Sequence, residues 1–211
     1  MAKILFIRGN GDKNYQNQLE LNSLRTDLCR ATLNSNLRPH TVEVPDLWPL
    51  AIRDKWMPEL EKLPIEEYDL IIAHSSGSQA ALRLAEKYKI KRLLLIAGHF
   101  TPLFTEEKTY GWFDKPFWNW QLIRSNVFKE KIYQICSTND PYISTIHSRT
   151  MARHLNSIYF EIPDRGHFRD YFTRYPNNEL RNIVEEILDP QYDLEEEYLS
   201  QFRYKTSDKD Y

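Results

Sequence analysis

Six short apolar runs recur along the chain, each bounded by polar or turn-forming residues: Lys3 to Gly9, His40 to Asp46, Asp69 to Ser75, Arg92 to Gly98, Lys131 to Thr138 and Ser157 to Ile162. Several are continuously apolar rather than alternating, as in Ile4-Leu5-Phe6-Ile7 and Leu93-Leu94-Leu95-Ile96. A strand covered on both faces needs apolar side chains on both sides of its pleat, so these runs predict parallel strands sandwiched between helices. Amphipathic stretches near residues 15–35, 52–63, 77–89, 144–156 and 177–188 predict the helices. Strand–helix alternation of this kind predicts an α/β layered sheet, and right-handed crossovers put helices on both of its faces. In the expected order the second strand lies beside the first and the third lies on its other side. Open α/β sheets bind ligands outside the carboxyl ends of the strands, where the order reverses.

Residues 99–130 break the rhythm. This long connection between the fourth and fifth strands carries Trp112, Phe113, Phe117, Trp118 and Trp120 around Gly111 and Pro116. Long connections inside α/β domains are usually functional, which predicts a small cap over the carboxyl ends of the strands. Trp112, Phe113, Phe117 and Trp118 are then candidate walls of a substrate pocket. The competing reading is a surface insertion whose aromatics pack on the sheet's edge helices. Residues 189–211 differ again, with seven acids against three bases and Tyr and Leu interleaved up to Tyr204. They read as an acidic C-terminal extension, a docking helix or a tail frayed at its end.

Composition narrows the class. A chain of 211 residues fits one domain, and at this size about 70% of the unfolded chain's surface is buried, so the core needs no staples. Charged residues are 27% and hydrophobic ones 41%, with a net charge of −2. No basic excess points to nucleic acid. No run approaches the roughly 20 apolar residues of a membrane span, and the apolar start is too short for a signal-peptide core. Cys29 and Cys136 are expected as reduced buried thiols of a cytoplasmic protein. No CxxC or HExxH occurs, so neither a metal nor another cofactor is expected. No protein partner is readable.

The sharpest chemical signal is Ile71-Ile72-Ala73-His74-Ser75-Ser76-Gly77-Ser78, an apolar strand ending at a serine before an Ala- and Leu-rich helix. This is the setting of a G-x-S-x-G nucleophile elbow, with Ala73 in place of the first glycine. A serine hydroxyl needs a base, and the base needs an orienting carboxylate. In this architecture the chain order is serine, acid, histidine. Asp140 in Ser137-Thr138-Asn139-Asp140-Pro141 follows the fifth strand, and His167 in Gly166-His167-Phe168 follows the sixth. Asp164 and Asp170 compete with Asp140 for the orienting role, though Asp164 shares the loop of His167. An oxyanion would be met by two backbone N–H groups, from Ser76 after the nucleophile and from Asn10 in the turn Gly9-Asn10-Gly11. His74 and His99 read as structural, Ser76 and Ser78 as the start of the helix, and Cys136 as core.

The motifs GNG at 9–11, HSSG at 74–77, GWFDKPFWNW at 111–120, STNDP at 137–141 and GHF at 166–168 resemble the retinoblastoma-binding-protein-9 and YdeN family of small serine hydrolases. The resemblance spans residue 3 to about 188 and leaves only the acidic extension outside. It implies a three-layer α/β-hydrolase fold over residues 1–188: a mostly parallel sheet of about six strands, helices on both faces and a minimal cap. It implies hydrolysis of a small-molecule ester or amide, with a triad falling on Ser75, Asp140 and His167. The L-x-C-x-E segment suited to a retinoblastoma pocket is absent, so that binding role does not carry over. The rival class is an inactive hydrolase-fold binding protein, since fold does not prove activity; labelling of Ser75 by a fluorophosphonate separates the two.

Overall fold

The computed structural model describes residues 2–10, 40–43, 45, 47–48, 50–114, 117–128, 131–168 and 179–188. All six expected strands are there: β1 (Ala2–Ile7), β2 (His40–Glu43), β3 (Leu70–His74), β4 (Leu93–Ile96), β5 (Ile132–Ser137) and β6 (Ile158–Ile162). They form one parallel sheet in the order β2-β1-β3-β4-β5-β6. The order therefore reverses between β1 and β3, which carry Gly9-Asn10 and Ser75 just past their carboxyl ends. The described helices are α1 (Arg53–Leu60), α2 (Gly77–Ala85), α3 (Trp120–Asn126), α4 (Thr145–Leu155) and α5 (Glu179–Leu188). The helix expected near 15–35, Gly11, Cys29, Asp170 and the 189–211 extension lie outside the described residues.

The continuous apolar runs divide by the two-residue period of a strand. Leu5, Ile7, Ile71, Ala73, Leu93 and Leu95 face one core, shared with Ala80, Leu84, Ile123, Met151 and Leu155 from α2, α3 and α4. Ile4, Phe6, Leu70, Ile72, Leu94 and Ile96 face the other, shared with Ile183, Val184, Ile187 and Leu188 of α5. Full burial of each Leu or Ile contributes roughly 1.5–3 kcal/mol, so both faces anchor the strands whose ends build the site. The three-layer α/β-hydrolase fold is the architecture of the chain. No described helix is long and apolar enough to cross a membrane.

Helix ends show how the chain is aimed. The side chain of Ser144 accepts from His147 N at 3.2 Å and caps α4. At its other end Asn156, with φ 51°, takes the left-handed conformation that stops a helix. Within residues 99–130, Thr105–Thr109 form a 3-10 turn and Trp120–Asn126 form α3. That helix packs beside α2 and α4, and Val127 bridges back to Ile90. The α3 part of the insertion thus lies along the helical layer of one face.

Candidate active site

Ser75 sits in the two-residue turn between β3 and α2 with φ 52°, the left-handed region. A non-glycine residue there costs about 1–3 kcal/mol and persists only where neighbours over-determine it. Here they do. Ser75 N donates to the Ile96 carbonyl at 2.9 Å, and the Ser75 carbonyl accepts from Ser78 N at 3.0 Å. Gly77 explains why the helix can start so close. A Cβ there would lie 2.3 Å from the Ile7 carbonyl oxygen and 2.5 Å from that of Arg8. Gly9 answers from the other side, since its Cβ would stand 2.8 Å from the Ser75 Cβ. Ala73 is fully buried in β3 between Ile7 and Leu95, so its methyl is ordinary core.

The three sequence candidates converge. His167 Nε2 lies 2.9 Å from Ser75 Oγ, and His167 Nδ1 lies 2.8 Å from Asp140 Oδ2. The Asp140 side chain has no exposure and that of His167 has 9%. The other Asp140 oxygen, Oδ1, accepts from Tyr142 N at 2.9 Å and Ile143 N at 3.1 Å. A buried carboxylate with both oxygens bonded is fixed in direction. Asp164, the competitor, is exposed at φ 56°. Its described hydrogen bonds are made by its backbone: the N donates to Thr138 Oγ1 at 3.4 Å and the carbonyl accepts from Arg165 Nη1 at 3.5 Å.

Residues that sequence reasoning left unassigned hold His167 in place. Asn139 Oδ1 accepts from Gly166 N at 2.8 Å and from Ser137 Oγ at 2.8 Å. Ser137 Oγ in turn accepts from Arg165 N at 2.9 Å. The loop of the acid is thus stapled to the loop of the histidine. His74 Nε2 donates to the His167 carbonyl at 2.9 Å, and the two rings sit 5.1 Å apart. The structural role expected of His74 is this contact. The turn-forming Asn-Asp-Pro was the only signal for the staple, and it says nothing of a partner 27 residues on.

Ser76, 2% exposed, and Asn10 offer backbone N–H groups at the reversal point. Among the described residues neither amide has an acceptor. The Asn10 side chain is engaged elsewhere, accepting from Ala51 N. Arg8 braces the same turn, donating to the Gly9 carbonyl at 2.9 Å and to the Trp48 carbonyl at 3.1 Å.

Three of the four aromatic pocket candidates need correction. Trp112 is fully buried and packs edge to face on Trp56 at 6.3 Å, with its Nε1 donating to the Ala51 carbonyl, so it is core. Trp118 lies under the Arg83 guanidinium at 4.0 Å and donates to the Phe100 carbonyl at 2.8 Å. Phe117 and Trp118 line an open groove of ≈ 700 Å³ with Glu86, Leu122 and His154. Glu86 and His154 stand at the carboxyl ends of α2 and α4. The amino end of α2 lies beside Ser75, about 13 Å away at 1.5 Å per residue. Of the four, Phe113 approaches the carboxyl edge of the sheet, its ring 6.3 Å from that of His99. Trp112 turns inward to the core and Trp118 packs on α2, the helix between the central strands β3 and β4, while Phe117 stays exposed.

His99 is buried and lies 3.3 Å from Glu107 Oε2, in contact with Gln79. Burial pushes the Glu107 carboxyl up, but His99 and the Leu103 and Phe104 amides outweigh it and hold it below its ordinary value. Burial raises the free Cys136 thiol to about 11, which suits core and not a nucleophile. Among the described residues no group of three His, Cys, Asp or Glu side chains converges as a metal site requires.

Residues 31–180 match the profile of the family described as "Serine hydrolase". "Serine hydrolase RBBP9" of Rattus norvegicus is 34% identical over 145 residues, 67% of this chain and 74% of that protein. Among solved structures, the ydeN gene product of B. subtilis superposes with a TM-score of 0.62 at 18% identity, covering 89% of this chain and 98% of its own. A carboxylesterase study of Nitrososphaera gargenis supplies another, with a TM-score of 0.62 at 13% identity, covering 95% and 91%. At these identities the structural likeness shows the fold alone.

Proposed function

Since the chain belongs to the serine hydrolase family, we propose that Ser75, His167 and Asp140 form its catalytic triad and hydrolyse small esters or amides through an acyl-enzyme. The observation that carries this reading is the unbroken hydrogen-bond chain from Ser75 Oγ through both ring nitrogens of His167 to Asp140. Asp140 accepts from Nδ1–H, which leaves the Nε2 lone pair facing the serine. As Oγ attacks the carbonyl carbon, its proton passes to Nε2. The oxyanion is met by the Asn10 and Ser76 N–H groups. Collapse breaks the bond to the leaving alcohol or amine, which takes the proton from Nε2. Water then gives a proton to His167, attacks the acyl carbon and releases the acid, and Ser75 regains its hydrogen.

Ester substrates draw support from the carboxylesterase among the structural neighbours. A cytoplasmic site of action accords with the free thiol of buried Cys136. A fluorophosphonate tests the mechanism. Label is expected on the Ser75 peptide of the wild type and on none of the Ser75→Ala protein. A wild type that takes up no label sinks the triad reading and favours a binding protein on a hydrolase fold.

A further inference from the structure

One exposed feature beside the triad has no role in the steps above. Phe104 and Tyr142 are 52% and 45% exposed. Their rings meet edge to face at 6.2 Å, and Tyr142 meets the His167 ring edge to face at 4.9 Å. They come from different connections, Phe104 after β4 and Tyr142 after β5. Each is tied to a carboxylate through its backbone neighbourhood. Tyr142 N donates to Asp140 Oδ1 at 2.9 Å, and Leu103 N donates to Glu107 Oε2 at 2.8 Å. Paired aromatics fixed in direction yet half in water are an apolar surface still open to a ligand.

The chemistry of the triad says which part of a substrate reaches them. The oxyanion donors follow β1 and Ser75, on one flank of β3; Phe104 and Tyr142 follow β4 and β5, on the other. The leaving group must take its proton from His167 Nε2, so its oxygen or nitrogen sits within hydrogen-bond reach of that atom. Of the ring's surroundings, Nδ1 faces Asp140, and His74 holds the elbow side. The atoms beyond the leaving oxygen or nitrogen therefore pass along the flank that Tyr142 lines. We propose that Phe104 and Tyr142 form the leaving-group subsite, and that it takes an aromatic or extended apolar alcohol or amine. This rests on the triad reading above.

Two pairs of esters test it. Benzyl and methyl butyrate share an acyl chain and differ in leaving group; benzyl acetate and benzyl butyrate do the reverse. Phe104→Ala and Tyr142→Ala should each lower the benzyl-to-methyl ratio of kcat/KM roughly 10-fold or more, the scale set by lost apolar contact in a pocket. Tyr142→Phe should keep that ratio, because the ring and not the hydroxyl makes the contact. The acetate-to-butyrate ratio should be unaltered in all three. Fluorophosphonate labelling of each variant verifies an assembled elbow, and the two half-exposed positions report independently of one another. Normal labelling with an unchanged benzyl-to-methyl ratio, or a shift in the acyl ratio instead, overturns the subsite alone. A wild type that neither labels nor turns over overturns the triad and the subsite together.

Discussion

Asp140 is oriented by three described contacts, one to the His167 ring and two to backbone amides, with no exposure of its side chain. Asp140→Asn should present an N–H where the imidazole needs an acceptor, and kcat should fall about 10⁴-fold, as expected when the tautomer is wrong. Asp164→Asn should be mild, because the described contacts of Asp164 are made by its backbone. Steady-state kinetics on one ester decide between them; the reverse ranking would move the acid to Asp164. The meeting of Ser75, Asp140 and His167 was legible in the sequence because each lies just past a strand and the chain order is restrictive. The contacts of Asn139, Phe104 and Tyr142 were not, since they depend on loops that meet only in the fold.

At the scale of elements, the apolar runs announced the strands because a sheet covered on both faces admits little else. The aromatic insertion misled for a related reason. A cluster of Trp and Phe signals burial but does not say against what, and Trp112 found Trp56 and α1 instead of a substrate. Trp112→Ala should therefore cost about 3–5 kcal/mol of stability, read by urea denaturation, with the acyl and leaving-group ratios unaltered in the folded fraction. The staple between the β5 and β6 loops makes a different forecast. Asn139→Ala removes the acceptor of the solvent-exposed Gly166 N–H, a loss of about 0.5–1.5 kcal/mol, and loosens His167. Unfolding free energy and kcat should drop together while KM holds; a normal kcat would mean that His74 and Asp140 alone suffice to place the imidazole.

Over the whole molecule, acid sensitivity has an identifiable source. Burial, and then the nearby His99, hold the His147 imidazole down to about 4, against 6.5 in an unperturbed histidine. Below 6.5 the unfolded chain binds a proton that the folded one refuses. This contribution to stability is thus complete above that pH and is lost as pH falls toward 4. The melting temperature should fall across that window, and His147→Gln should flatten the slope; an identical slope would assign the effect to other groups. A last consequence comes from Gly77, which closes against the carbonyls of Ile7 and Arg8. The Ser75 turn is held by a wall that belongs to another strand, one flanked by β2 and β3. A fragment beginning at residue 11 would contain Ser75, Asp140 and His167 and still have nothing for the turn to rest on. Supplied as a separate peptide during refolding, residues 1–10 should switch labelling on in a saturable way, so that the enzyme becomes a two-part reporter whose output measures the docking of a single strand.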